Sequence, residues 1–145
     1  MPQQKQSFEK HAQWTPLYHF VASPLVAFYA VYKITQLAKA PSAATVWEAV
    51  FAIGVLATVW SARIMALTVQ NRVIRLEMRL RLRELLNADL AKRIPELTTR
   101  QLIALRFASD AELPALVERT LKGEFPSGKA IKAAVKDWQS DYLRA

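Results

Sequence analysis

The stretch from Thr45 to about Leu86 limits this chain more than any other. It opens on the apolar run Val46-Trp47-Glu48-Ala49-Val50-Phe51-Ala52-Ile53-Gly54-Val55-Leu56-Ala57-Thr58-Val59-Trp60-Ser61-Ala62, and no proline or glycine separates that run from Arg63 and the ladder Arg72, Arg75, Arg79, Arg81, Arg83. A segment that is oily in its first half and cationic in its second is predicted to be one helix that crosses a bilayer and continues into the cytoplasm. Nothing breaks it before Pro95. If helical from about Ala43 to about Ala91, its roughly 50 residues reach some 70 Å, more than twice the hydrocarbon thickness, so the second half projects into water.

The net charge of +8 points to an anionic partner, and its distribution says where. Arg63–Arg83 holds six arginines against the single acid Glu77, whereas Glu84–Ala145 holds ten basic against nine acidic residues. The excess is therefore juxtamembrane, at the depth of anionic lipid headgroups. The chain has no cysteine, which excludes disulfides, thiol chemistry and cysteine-held metal. Glu9 and the polar run around it fit a cleavable signal peptide poorly, so the mature chain is expected to begin near Met1.

Four regions follow. Residues 1–15 are polar and expected at the membrane interface, with Trp14 as an anchor. Residues 16–62 are expected to form a two-helix transmembrane hairpin. Thr15-Pro16 starts the first helix, Pro24 bends it, and Lys39-Ala40-Pro41-Ser42 turns the chain. With the turn near Pro41, residues whose numbers sum to about 81 share a depth. That pairs Lys33 with Glu48 as an intramembrane ion pair. It also pairs Ala27 with Gly54 and Ser23 with Thr58, giving a small-residue packing seam of Ser23, Ala27, Gly54, Ala57 and Ser61. The basic residues after the second span outweigh Lys33 and Lys39, so both termini are expected in the cytoplasm of a bacterial inner membrane.

Residues 63–91 are expected to form a basic helical stalk. Val69, Val73, Leu76, Leu80 and Leu86 make an apolar stripe that needs a cover: a second copy, the C-terminal helices folding back, or the lipid interface. Arg63, Arg72, Arg75, Arg79 and Arg83 are the candidate contacts for lipid headgroups or an acidic partner. Residues 92–145 are expected to form a small helical domain. Capping patterns at Thr98–Gln101 and Ser109–Glu112 predict helices over about Thr99–Ala108 and Ala111–Lys122, with Gly123 closing the second and a third over Lys129–Trp138. Its core is marginal in size and is expected to lean on the stalk.

Motifs for catalysis, cofactors and phosphate cradling are missing. His11 and His19 are the only histidines, and three glycines supply no phosphate loop, so the sequence supports no catalytic residue, cofactor or metal site. The capped pair of helices after Thr98 has the outline of a helix-turn-helix. Its second helix, however, carries Glu112 and Glu118 where a DNA reader needs early basic and amide side chains, so nucleic acid is not the expected partner.

Gln6-Ser7-Phe8 with His11 and His19-Phe20, Asn71–Leu82, Arg100–Pro114 with its Arg-Phe-Ala-Ser-Asp core, and Ile131–Trp138 together resemble a family of small uncharacterised bacterial membrane proteins, a domain-of-unknown-function family. The likeness covers nearly the whole chain. It implies a two-span bacterial membrane protein and brings no activity or catalytic residue with it. The fold class is all-α, and the expected function is non-enzymatic assembly or scaffolding at the inner membrane, by self-association through the stalk and C-terminal helices. The alternatives are an accessory subunit of a larger membrane complex and a small oligomeric channel or transporter.

Overall fold

A computed structural model describes Phe8 and residues 14–141. The expected interfacial segment 1–15 lies outside the described residues apart from Phe8, Trp14 and Thr15. Among the described residues the protein is all-helical, its one extended feature being an isolated bridge between Ala108 and Trp138. Its described residues divide into two compact units: residues 14–68 form one, and residues 69–141 with Phe8 the other.

In the unit of residues 14–68, a π-helical turn, Leu17–Ala22, leads into α1, Ser23–Lys39. The cause of the wide turn is Pro24. It offers no N–H to the carbonyl four residues back, and its ring crowds that carbonyl. The preceding turn opens so that the Ser23 N–H donates to the Tyr18 carbonyl five residues back. The bend expected at Pro24 is thus taken up as a π-turn. α1 ends where Ala40 leaves helical backbone geometry, and Pro41 follows. Ser42 then starts α2, Ala43–Leu85: the Thr45 N–H donates to Ser42 Oγ at 3.1 Å, and the Ser42 N–H to Thr45 Oγ1 at 2.9 Å. This reciprocal pairing satisfies two N–H groups at the helix start.

Leu17–Lys39 and α2 are both long and apolar enough to cross a membrane. Their large side chains face outward: Phe28 is 75% exposed, Trp47 72% and Phe51 70%. The buried residues of this unit are small, Ala30 on α1 and Ala49 and Ala52 on α2.

α2 stops six residues short of the expected Ala91. Asn87 turns to extended backbone, and its side chain accepts the Leu90 N–H at 3.0 Å, capping α3, Ala88–Lys92. Asparagine at this position gains more as a cap than as a helix interior residue. A 3₁₀ turn, Ile94–Glu96, holds Pro95. Thr98 then opens α4, Thr99–Leu105, with a complete capping box to Gln101. α5 covers Leu113–Leu121 and α6 Gly128–Ala134. Gly123 closes α5 in the left-handed region at φ 77°.

The second capping box does not form. Glu112 instead accepts the Lys136 and Asp137 N–H groups at 3.1 and 3.3 Å, tying the start of α5 to the segment after α6. α6 is also shorter than expected, because Val135 turns extended. Trp138 is therefore off the helix: Gln139 N–H donates to the Phe107 carbonyl at 2.7 Å, and the Trp138 ring lies 4.8 Å from that of Phe107.

The core of residues 69–141 includes one face of α2. Ile74, Met78, Leu82 and Leu86, spaced four apart, are buried with Leu102, Leu105, Leu113, Val117 and Ile131 from the short helices. The C-terminal helices thus pack on the basic half of α2 in their own chain. Removing the Thr98 cap tests how much these short helices depend on their ends. Thr98→Ala is expected to cost about 1 kcal/mol, read as a lower thermal midpoint of the detergent-solubilised chain.

Candidate interaction surface

Lys33 and Glu48 are brought together. Lys33 Nζ donates to Glu48 Oε2 at 2.9 Å, with the Lys33 side chain mostly buried and that of Glu48 half exposed. The lysine also lies within 6 Å of the Tyr29 and Tyr32 rings. Fifteen residues after Glu48, the Arg63 guanidinium lies 5.6 Å from the ring of Tyr18, fifteen residues before Lys33. These numbers also sum to 81, so one register joins contacts at two levels of this unit. Each single reversal, Lys33→Glu or Glu48→Lys, is expected to lower stability, and the double reversal to recover most of the loss. Thermal midpoints of the four proteins in detergent measure this.

The expected small-residue seam is corrected on one side. Ser23 and Ala27 are half-buried, but Gly54, Ala57 and Ser61 are exposed, and a methyl group placed on Gly54 would meet nothing within 4 Å. Ala49 and Ala52 hold the buried positions instead. Sharing a depth does not fix which side of the helix a residue occupies, and Gly54, two residues beyond Ala52, points nearly the opposite way.

The arginines of α2 separate into different roles. Arg81 is drawn into its own domain. Its Nε donates to Asp110 Oδ1 at 2.7 Å, while Nη2 donates to the Ala108 carbonyl at 2.8 Å and to Gln139 Oε1 at 3.2 Å. Nη1 reaches the Arg106 carbonyl at 3.3 Å. Arg79 is half-buried and lines, with Arg83, a cleft of about 300 Å³ against Lys92, Ile94 and Pro95. Its Nε is buried with no acceptor. Arg72, Arg75 and Arg83 are exposed.

The expected apolar stripe is a second face of α2. Val69, Val73, Leu76 and Leu80 are 48 to 61% exposed, although Leu86, read as part of the same stripe, is buried in the core. The C-terminal helices cover the opposite side of the helix. Other charged pairs on this unit are already matched: Lys122 hydrogen-bonds Glu118 and holds its carboxyl below the usual range, and Arg93 does the same to Glu96. Glu77, Glu84, Arg72 and Arg79, beside the exposed stripe, make no ion pair among the described residues.

One larger cavity, about 490 Å³, lies in the same unit between Phe8, Ile103, Ala104 and Gly128, rimmed by Arg100, Lys129 and Lys132. No group of three or more metal-ligating side chains occurs among the described residues. His19 Nδ1 sits within hydrogen-bond distance of the Thr15 backbone and packs edge-on to Trp14.

An all-helical chain with two long, outward-facing apolar helices and a small capped-helix unit is the class of protein that these features define. The chain belongs to a family of unknown function, DUF6526, whose model matches residues 1–145. Comparison with curated proteins and with solved structures finds no match.

Proposed function

We propose that the protein is a non-enzymatic assembly or scaffolding module of the bacterial inner membrane. In this reading α1 and the apolar half of α2 form a transmembrane hairpin with both termini in the cytoplasm, and the basic half of α2 is a stalk that carries the C-terminal helices. The observation that carries the proposal is the exposed Val69, Val73, Leu76, Leu80 stripe on a helix whose opposite face is already buried in its own domain. A helix with two apolar faces, only one of them covered, is suited to joining its own domain to something else.

The hairpin draws support from the register that links Lys33 with Glu48 and Tyr18 with Arg63. The outward Phe28, Trp47 and Phe51 suit a lipid environment. Arg75 is the arginine best placed for headgroups, since it is exposed and carries no ion pair among the described residues. Arg63, over Tyr18, would sit at the inner boundary.

The test is mass measurement of the intact protein extracted from native membranes. A homo-oligomer is the expected result. A monomer with no companion would overturn the assembly reading, and a complex with a different protein in fixed ratio would replace it with an accessory-subunit role. Topology is tested in the naturally cysteine-free chain with single Ser42→Cys and Asp89→Cys variants. An impermeant maleimide added outside whole cells should label residue 42 and leave residue 89 unlabelled.

A further inference from the structure

The exposed stripe of α2 is bordered by charge in a way that selects its occupant. With Val73 and Leu80 at the first position of successive heptads, Val69 and Leu76 take the fourth. Arg72 and Arg79 then precede each first position on one flank, and Glu77 and Glu84 follow the fourth positions, Leu76 and Arg83, on the other. One border of the seam is positive and the other negative.

In a parallel pair of helices, the residue before each first position meets the residue five places further on in the partner. In an antiparallel pair, each flank meets its own kind. Arg72 and Glu77 are five apart, as are Arg79 and Glu84. A parallel, in-register pair therefore sets Arg72 against Glu77 of the second copy and Arg79 against Glu84 of the second copy, twice each by symmetry. An antiparallel pair sets arginine against arginine and glutamate against glutamate. None of these four side chains has an ion-pair partner among the described residues of its own chain; Arg72, Glu77 and Glu84 are exposed, and Arg79 is half-buried beside Lys92, Ile94 and Pro95.

We propose that a second copy of this chain covers the stripe as a parallel, two-fold, in-register coiled coil over about Val69–Glu84. This rests on the assembly reading and specifies its partner and geometry. Ile74, Met78 and Leu82 fall on the far side of the helix from the seam and are buried in the core of their own chain, while the fourth position after Leu80 is Arg83, which ends the apolar seam. A coil of little more than two heptads is marginal between free chains in water. Two chains held in one membrane in the same orientation are already parallel and at high local concentration.

Single cysteines in the otherwise cysteine-free full-length protein, kept in its membrane, test this directly. Val69→Cys, Val73→Cys, Leu76→Cys and Leu80→Cys should each form a disulfide-linked dimer on mild oxidation, and Arg75→Cys, off the seam, should not. Cross-linking at only one of the four would mean an antiparallel or crossed contact and overturn the proposal, as would cross-linking to a different protein.

Charge variants provide a second measurement. Glu77→Arg with Glu84→Arg makes both borders positive, and Arg72→Glu with Arg79→Glu makes both negative. Each double variant, carrying Leu76→Cys, should lose at least tenfold in self-cross-linking. Co-expression of the two should restore cross-linking between the two types. An oligomer by mass with no seam cross-link would sink this geometry and leave the assembly reading standing. A monomer by mass would sink both.

Discussion

Leu82→Ala is expected to destabilise the C-terminal unit by about 3 kcal/mol, whereas Leu80→Ala, two residues away on the same helix, should change its intrinsic stability by less than about 0.5 kcal/mol. Leu82 is fully buried in the core, and its truncation removes packing and leaves a cavity; Leu80 is half exposed on the opposite face. Hydrogen exchange of the α4 and α5 amides in the full-length protein separates the outcomes. Protection should fall by about two orders of magnitude for Leu82→Ala, the equivalent of about 3 kcal/mol, and stay near wild type for Leu80→Ala. Leu80→Ala should act on the oligomer instead, by weakening the seam. Equal loss of protection in both variants would mean that the two faces of α2 do not have separate partners.

That contrast also shows what a linear reading of α2 can and cannot reach. The apolar positions at 69, 73, 76 and 80 recur at three and four, and they stand out. Those at 74, 78 and 82 recur as regularly but lie among Arg72, Arg75, Arg79, Arg81 and Arg83, so the charge hides them. A helix apolar on two opposite sides has no single amphipathic direction, and picking one stripe leaves the other out. Leu86, six residues past Leu80, belongs to the core and not to the exposed stripe.

The contacts between α1 and α2 were legible for a different reason. Pro41 fixes the turn, and the turn fixes which residues share a level, so the approach of Lys33 to Glu48 could be read from their numbers. Rotation about each helix axis is set by packing instead, so depth alone does not tell that Ala49 and Ala52 are buried while Gly54, Ala57 and Ser61 are exposed. Local end signals fared according to competition. Thr98 and Gln101 have no rival partners and close their box. Glu112 has the Lys136 and Asp137 N–H groups within reach, from a segment 24 residues later in the chain, and takes those.

Arg81→Met is expected to cost about 2 to 3 kcal/mol, the largest effect of any charged substitution on α2. Methionine keeps much of the aliphatic stem but leaves the Ala108 and Arg106 carbonyls without the donors that the guanidinium provides, next to the bridge that joins residue 108 to residue 138. Arg81→Lys should recover less than half of that loss, because one ammonium cannot span Asp110, two carbonyls and Gln139 at once. Asp110→Asn should cost well under about 1 kcal/mol, since that carboxylate is 60% exposed and water screens its pairing. The ranking Met, then Lys, then the Asp110 variant, in thermal midpoints of the full-length protein, separates a backbone-organising arginine from one half of a surface ion pair. If Arg81→Met and Asp110→Asn were equally harmful, the ion pair would be the important element. If Arg81→Met were silent, the residue would rejoin the headgroup-facing ladder with which the charge pattern groups it. Arg81 sits two residues from Arg79 and two from Arg83, off the three and four spacing that links Arg72, Arg75, Arg79 and Arg83, and that offset turns it toward the protein's own C-terminal helices.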